Sequence, residues 1–181
     1  SVNEEMLGIP NFKEKTTREQ EYSIGRHCAK QAMNAIGIDC NEIQSSSHGF
    51  PIWPKGIVGS ISHSKGTCLS AVAKSENFQA IGIDVEQSNR MRGRSVERIT
   101  HPKEIAEIGS DLKKATLLFS IKEAFYKAQF PIYKTHLNFK DLALFGINLY
   151  YAGNDVVPGL SRKIPTINNN YIGLNISGWR H

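Results

Sequence analysis

Leu69-Ser-Ala-Val-Ala-Lys-Ser-Glu-Asn-Phe-Gln-Ala-Ile-Gly-Ile-Asp-Val-Glu86 contains two short apolar runs, Leu69 to Ala73 and Ala80 to Val85, around the polar stretch Lys74 to Asn77. Short β-compatible runs separated by turn residues predict an antiparallel hairpin. Because strand residues two apart face the same side, the second run places the carboxylates of Asp84 and Glu86 together at its end and turns Ile83 and Val85 into the core.

Upstream, Gly49 to Gly66 (GFPIWPKGIVGSISHSKG) is rich in glycine and proline and reads as loop and strand whose backbone can approach a ligand closely. Before it, Thr17 and Gln20 make a capping box, and Gly37 is a stop signal, for a helix from about Thr17 to Ile36. Its buried stripe is expected to hold Tyr22, Gly25, Cys28, Ala29, Ala32, Met33 and Ile36, so Cys28 is a packing residue. Downstream of Glu86, QSNRMRGRSVER reads as a polar, basic, mobile loop, and Pro102 as the first residue of a short helix. A longer helix is expected from about Ser110 to Gln129, with Leu117, Ile121, Ala124, Phe125 and Ala128 on one face and Thr116, Ser120, Glu123 and Lys127 on another. Leu142 to Tyr150 and Tyr171 to Ile176 read as closing strands, and the Asn-rich stretch near Asn169 as a loop. Helix, strands, helix, strands, with hairpins in place of βαβ units, is the pattern of an α+β protein of two similar halves.

At 181 residues, 40% hydrophobic and 22% charged, the chain has the composition of an ordinary globular protein, one domain or two tightly joined halves. No apolar run approaches the roughly 18–20 residues of a membrane-spanning helix, and the N-terminal stretch lacks the features of an export signal. Cys28, Cys40 and Cys68 fit neither a zinc clip nor a disulfide framework, so a reducing cytoplasm is the expected compartment. The net charge of +5 favours an anionic partner without choosing among nucleic acid, a phosphorylated metabolite and an acidic protein.

Three elements carry candidate chemistry. Asp84 and Glu86 are either a strand end bearing solvated acids or two ligands of Mg2+, an ion that keeps several waters and takes few protein ligands. Glu123 and Lys127 are either an i, i+4 surface pair or a third carboxylate and a phosphate-neutralising cation for the same site. Gly59-Ser-Ile-Ser-His-Ser64 offers hydroxyls and His63 as donors to a phosphate, against the simpler reading of a locally satisfied turn.

Four motifs in order, Tyr22-Ser-Ile-Gly-Arg26 with Ala29 and Ala32, Gly49-Phe-Pro-Ile-Trp53-Pro-Lys-Gly56 running into Gly59-Ser-Ile-Ser-His63-Ser, Ile81-Gly-Ile-Asp84-Val-Glu86, and Phe119-Ser-Ile-Lys122-Glu123-Ala-Phe-Tyr-Lys127-Ala, resemble the Sfp-type 4'-phosphopantetheinyl transferases. Within these, the similarity is to the branch that includes the enterobactin synthetase component of enteric bacteria. The resemblance spans roughly Arg18 to Leu144.

It implies an α+β pseudo-dimer with the active site in the cleft between its halves: residues 1–83, binding coenzyme A, and residues 84–181, carrying the metal site, the catalytic helix and the carrier contact. The implied reaction is Mg2+-dependent transfer of the phosphopantetheine arm of coenzyme A to a serine of an apo carrier protein, releasing adenosine 3',5'-bisphosphate. By the same resemblance, Asp84, Glu86 and Glu123 are metal ligands, with Glu123 also the candidate general base. Lys127 neutralises the pyrophosphate, Ser62 and His63 hold coenzyme A phosphates, and Arg26 with Arg18 grips the 3'-phosphate. Phe119 stands where many relatives have tryptophan, and Phe50 where some have lysine, so adenine contacts at residue 50 fall to backbone groups. The chemistry agrees: a serine hydroxyl is a weak nucleophile at neutral pH, so it needs a base, while the leaving pyrophosphate needs positive charge. Arg90, Arg92, Arg94 and Arg98 are either a docking face for acidic carrier helices or a solvated loop. Relatives with both halves in one chain are typically monomers, and neither membrane nor nucleic acid is an expected partner. The competing functions are a nucleic-acid-binding module and a metal-dependent phosphohydrolase.

Overall fold

The computed structural model describes residues 5–9, 17–144 and 171–177. The first helix, α1 (Arg18–Ala35), starts at the expected capping box: Thr17 Oγ1 accepts the Gln20 N–H at 3.3 Å, and Gln20 Oε1 accepts the Thr17 N–H at 3.0 Å. It ends at Ile36 before Gly37, whose φ of 79° is the left-handed conformation glycine adopts without strain. Gly25, Cys28, Ala29, Ala32 and Met33 form its buried face. Tyr22 departs from the expected stripe and is 48% exposed. One turn into the helix, its ring lies beneath the Arg26 guanidinium, 4.6 Å from the ring centroid.

The first sheet is antiparallel with the order β1 (Glu5–Ile9), β3 (Thr67–Lys74), β2 (Ile57–Ser64). The expected hairpin between Leu69–Ala73 and Ala80–Val85 does not form. Lys65 and Gly66, both at positive φ, close a two-residue turn one strand earlier, and Ser64 pairs with Thr67 across it. With β2 on one edge of β3 and β1 on the other, both edges of β3 are occupied and the next strand must pair elsewhere. Strand β4 (Ile81–Gln87) pairs instead with β5 (Tyr171–Ser177), which lies where a closing strand is expected. Residues 142–144 are not in a strand, and the rest of the expected strand to Tyr150, like the Asn-rich stretch near Asn169, lies outside the described residues.

Strand β4 runs beside β2 in the same direction, joined by serine side chains. Ser60 Oγ accepts the Ile83 N–H at 3.2 Å, and Ser62 Oγ accepts the Val85 N–H at 3.1 Å. Ile83 and Val85 are fully buried with Leu69, Ala71, Ala73, Phe78 and Ile81, as the alternation predicts.

Helices and a 3-10 turn follow β4 in the second half. The arginine-rich stretch expected to be a mobile loop contains a helix, α2 (Gly93–Ile99). Met91 anchors it: the side chain is buried and the N–H is donated to Thr116 Oγ1 at 3.2 Å. Ile99 joins Ile108, Ala115, Leu117 and Leu118 in a core that no local signal announces. Pro102 opens a 3-10 turn, Pro102–Glu104, capped by His101 and followed by the single-turn helix α3 (Ile105–Ile108). The long helix, α4, runs Leu112–Tyr133 from an Asp111 cap, and so passes the expected end at Gln129 by one turn. Asp111 Oδ1 accepts the Lys113 and Lys114 N–H groups at 2.9 and 3.1 Å. At Gly82 a Cβ would collide with the Ala124 carbonyl, so the glycine is what lets the α4 backbone lie directly on β4. That crossing sets Glu123 and Lys127 over the end of the acidic strand. Among the described residues no helix is long and apolar enough to cross a membrane.

Candidate active site

Lys127 is the centre of the arrangement. Its ammonium donates to Asp84 Oδ1 at 2.8 Å, to Ser62 Oγ at 3.0 Å and to the Ile83 carbonyl at 3.1 Å, using all three N–H groups. Ser62 is equally saturated: it donates to Asp84 Oδ1 at 2.8 Å while accepting from Val85 and Lys127. The sequence reading assigns Ser62 to a phosphate; in this structure its hydroxyl links β2, β4 and α4. Asp84 is only 4% exposed, and while Oδ1 accepts twice, Oδ2 is buried and has no hydrogen-bond partner among the described residues. A buried carboxylate oxygen without a donor is costly, so it marks a place where a cation or donor is expected.

Glu86 follows two residues later, half-buried, with Oε2 accepting from Ser64 Oγ at 3.1 Å and lying 3.6 Å from Arg90 Nε. Burial, and then the nearby charge of Asp84, raise its carboxyl above the ordinary carboxylate range. Glu123 on α4 is also raised, first by burial, with Lys127 opposing and Asp84 adding to the shift. The three acids therefore share one electrostatic neighbourhood. Among the described residues, however, no three histidine, cysteine or acidic side chains are grouped closely enough to hold a metal ion by themselves.

On the far side of Lys127 opens a cleft of about 280 Å³. Arg26 and Lys127 bring positive charge to it, His63 an imidazole, and Phe50 and Trp53 aromatic surface. Gly59 makes room for the indole: a Cβ there would fall 2.7 Å from Trp53 Cζ2. Arg26 is aimed by Ser45, whose Oγ accepts from its Nη2 at 2.6 Å, and its buried Nε has no hydrogen-bond partner among the described residues. His63 is exposed at the rim, its Nδ1 3.9 Å from Glu21 Oε2. Phe50 stacks on Phe130 at 4.7 Å. Arg18 is the first residue of α1 and does not line the cleft. The structure thus gathers Arg26, His63 and Lys127 around one cavity and joins Lys127 to Asp84; Glu123 lines a separate cavity of about 160 Å³. Sequence reasoning gives no role to Glu21, expects Tyr22 in the buried stripe and not at the cleft, and offers Ser60 only as one hydroxyl of its motif, although Ser60, Ser62 and Ser64 at alternate strand positions are a visible signal that one face of β2 carries hydroxyls.

Two family models match the chain. Residues 12–73 match the 4'-phosphopantetheinyl transferase N-terminal domain, and residues 80–150 match the 4'-phosphopantetheinyl transferase superfamily. The chain belongs to the 4'-phosphopantetheinyl transferase superfamily. Its similarity to the 4'-phosphopantetheinyl transferase PptT of Mycobacterium tuberculosis is 34% identity over 128 residues, 68% of this chain and 56% of that protein. To Npt of Nocardia iowensis, a protein of the same description, it is 35% identical over 127 residues, covering 68% of this chain and 57% of the relative. Enterobactin synthase component D of Escherichia coli K12 is 31% identical over 139 residues, 69% of this chain and 63% of that protein. The chain therefore spans little more than half the length of the transferases it matches first. Arg18, Arg26, Ser62 and His63 lie in the stretch matched by the N-terminal domain, and Asp84, Glu86, Glu123 and Lys127 in the stretch matched by the superfamily model.

Proposed function

We propose that this chain transfers the 4'-phosphopantetheine arm of coenzyme A to a serine of an apo carrier protein. The observation that carries the reading is Lys127: the residue lines the cleft and its ammonium holds Asp84, whose other carboxylate oxygen is buried and, among the described residues, unpartnered. A cleft for a phosphorylated ligand is thereby joined to a place for a cation. Residues 1–83 and 84–181 are read as the two halves, and the cleft lining, from Glu21 to His63 on one side with Lys127 and Pro131 on the other, supports a site between them.

In this reading Arg26 and His63 bind the nucleotide phosphates of coenzyme A from the cleft lining, Arg18 meets the 3'-phosphate from outside that lining, and Lys127, held in place by Ser62, lies nearer the pyrophosphate. The acids fit Mg2+ as a partly built site, because that ion takes one or two carboxylates and completes its shell with waters and substrate phosphates, so a three-residue cage is not required. Asp84 Oδ2, with Glu86 and Glu123, would hold it, and when bound it supplies positive charge to the pyrophosphate oxygens. The serine oxygen attacks the phosphorus that bears the pantetheine, the bond from that phosphorus to the bridging oxygen breaks, and adenosine 3',5'-bisphosphate leaves. Glu123 takes the serine proton; the burial that raises its carboxyl makes it a stronger base than a solvated glutamate. Lys127 stabilises the charge on the leaving group.

The reading extends to a monomer acting in the cytoplasm, and the likeness to enterobactin synthase component D favours a carrier of a siderophore-type system. Arg92, Arg94 and Arg98, exposed on and before α2, are the proposed docking charges. The test is incubation with coenzyme A, Mg2+ and a panel of apo carriers, followed by mass spectrometry. A gain of about 340 Da on a carrier supports transfer; no gain on any carrier, with coenzyme A hydrolysed or DNA bound tightly, refutes it.

A further inference from the structure

Lys122 and Glu104 form a buried ion pair that the chemistry above leaves unused. Lys122 Nζ donates to Glu104 Oε2 at 2.8 Å, to the Ile99 carbonyl at 2.8 Å and to the Phe139 carbonyl at 2.7 Å. Glu104 is fully buried; Oε2 also accepts the His101 N–H at 2.6 Å, and Oε1 accepts the Leu144 N–H at 2.7 Å. The pair thus ties together the end of α2, the 101–104 turn, α4 and the stretch 138–144. Stability alone is a poor reason for it, since well-packed apolar residues commonly replace such a pair without loss.

Its position supplies a better reason. Lys122 and Glu123 both line the 160 Å³ cavity, whose opposite wall is Leu137, Asn138, Phe139 and Leu142. That wall contains a single 3-10 turn, Phe139–Asp141, and is otherwise irregular. Its attachments to the rest of the second half include the two bonds from the ion pair and the contact of the Phe139 ring with Phe119 at 5.4 Å.

We propose that Lys122 and Glu104 are positioning residues: a strap that holds residues 137–144 against α4 and so sets the shape of the cavity that Glu123 lines. The proposal rests on the reading of Glu123 as the base. The strap does not line the coenzyme A cleft, so it acts on the chemical step and leaves nucleotide binding alone.

The test is the paired variant K122M/E104Q, which removes both charges together and avoids stranding one of them. Expected are a melting temperature near that of the parent, calorimetric affinity for coenzyme A within about threefold, and kcat lower by at least about tenfold, because small displacements at a reacting centre are amplified in rate. Amide exchange across 137–144 should accelerate at least about tenfold, as the segment opens locally. K122R, which keeps donors for both carbonyls, should recover most of the lost kcat. Should the paired variant fail to fold, Glu104→Gln alone is measured by exchange. Exchange at the parental rate overturns the strap. Faster exchange with unchanged kcat overturns its link to Glu123 while leaving the transferase reading intact. If the parent modifies no carrier at all, the transferase reading fails and the exchange experiment alone decides the strap.

Discussion

Removing Lys127 tests the site most directly, because its ammonium makes three hydrogen bonds, one of which is the ion pair with Asp84. Lys127→Met keeps the aliphatic stem on β4 and deletes the ammonium. Asp84 Oδ1 then keeps only the Ser62 hydroxyl, and a nearly buried carboxylate loses its counter-charge. Stranding one member of a fully buried pair costs about 3–5 kcal/mol. The Lys127 side chain is 22% exposed, and water reaching the vacated space will solvate part of the charge, so a loss of about 2–3 kcal/mol is expected. Asp84→Asn keeps an acceptor for Ser62 and should cost about 1–2 kcal/mol. The double variant should recover part of the sum, with a coupling of about 1–2 kcal/mol. Urea unfolding of all four proteins in chelator at pH 7.5 measures this without metal. Additivity within about 0.5 kcal/mol would refute the reasoning, since it would mean that the two side chains do not touch in solution.

Other expectations follow from the same geometry. Glu86 and Glu123 have carboxyls raised by burial, so the folded protein binds their protons more tightly than the unfolded chain does. The stability each contributes is present below the ordinary carboxylate pKa and lost as pH rises through the folded value. Glu123→Gln should therefore be more stable than the parent at neutral pH in chelator, with the difference vanishing in acid, while its transferase activity falls at least about a hundredfold; melting curves from pH 4 to 8 and the carrier assay check both. Gly82→Ala should lose about 3 kcal/mol or more, or fail to fold, because the clash is with α4 backbone and no side chain can yield; circular dichroism melting decides it, and a parental melting temperature would mean that α4 does not lie on β4. His63→Ala should raise KM for coenzyme A about tenfold with little change in kcat, the mark of lost ground-state binding. An unchanged KM removes His63 from the phosphate site.

Removing an acid from a like-charged cluster is expected, from sequence, to be mild for the fold. For Glu123 the expectation stands as a prediction, since among the described residues no hydrogen bond of its carboxylate offsets the burial that raises it. For Asp84 it does not, because Lys127 and Ser62 make that carboxylate a junction of three elements. The difference is legible only in coordinates: i, i+4 spacing pairs Glu123 with Lys127 on paper, whereas in space the ammonium reaches across to the strand.

Local signals were sufficient wherever the physics is local. Thr17 and Gln20 cap α1, Pro102 opens its turn, and alternation buries Ile83 and Val85; these depend on residues within a few positions of one another, whereas the expected faces of the long helix do not separate, because Thr116, Ser120 and Lys122 are buried and Ile121 and Phe125 only partly so. The four motifs in order carried the family. Strand partnership was not readable, because it is decided by which edges are already occupied: the turn at Lys65–Gly66 gave β3 to β2 and β1, leaving β4 for a strand more than eighty residues further on. The helix at Gly93–Ile99 was hidden for a similar reason, since its composition is that of a solvated loop and its stability comes from burying Met91 and Ile99 on distant residues. The residue types for an anion cleft and a cation site can be read from the chain, but which nitrogen meets which oxygen depends on the crossing of α4 over β4 that Gly82 permits, and such a crossing exists only once the chain has folded.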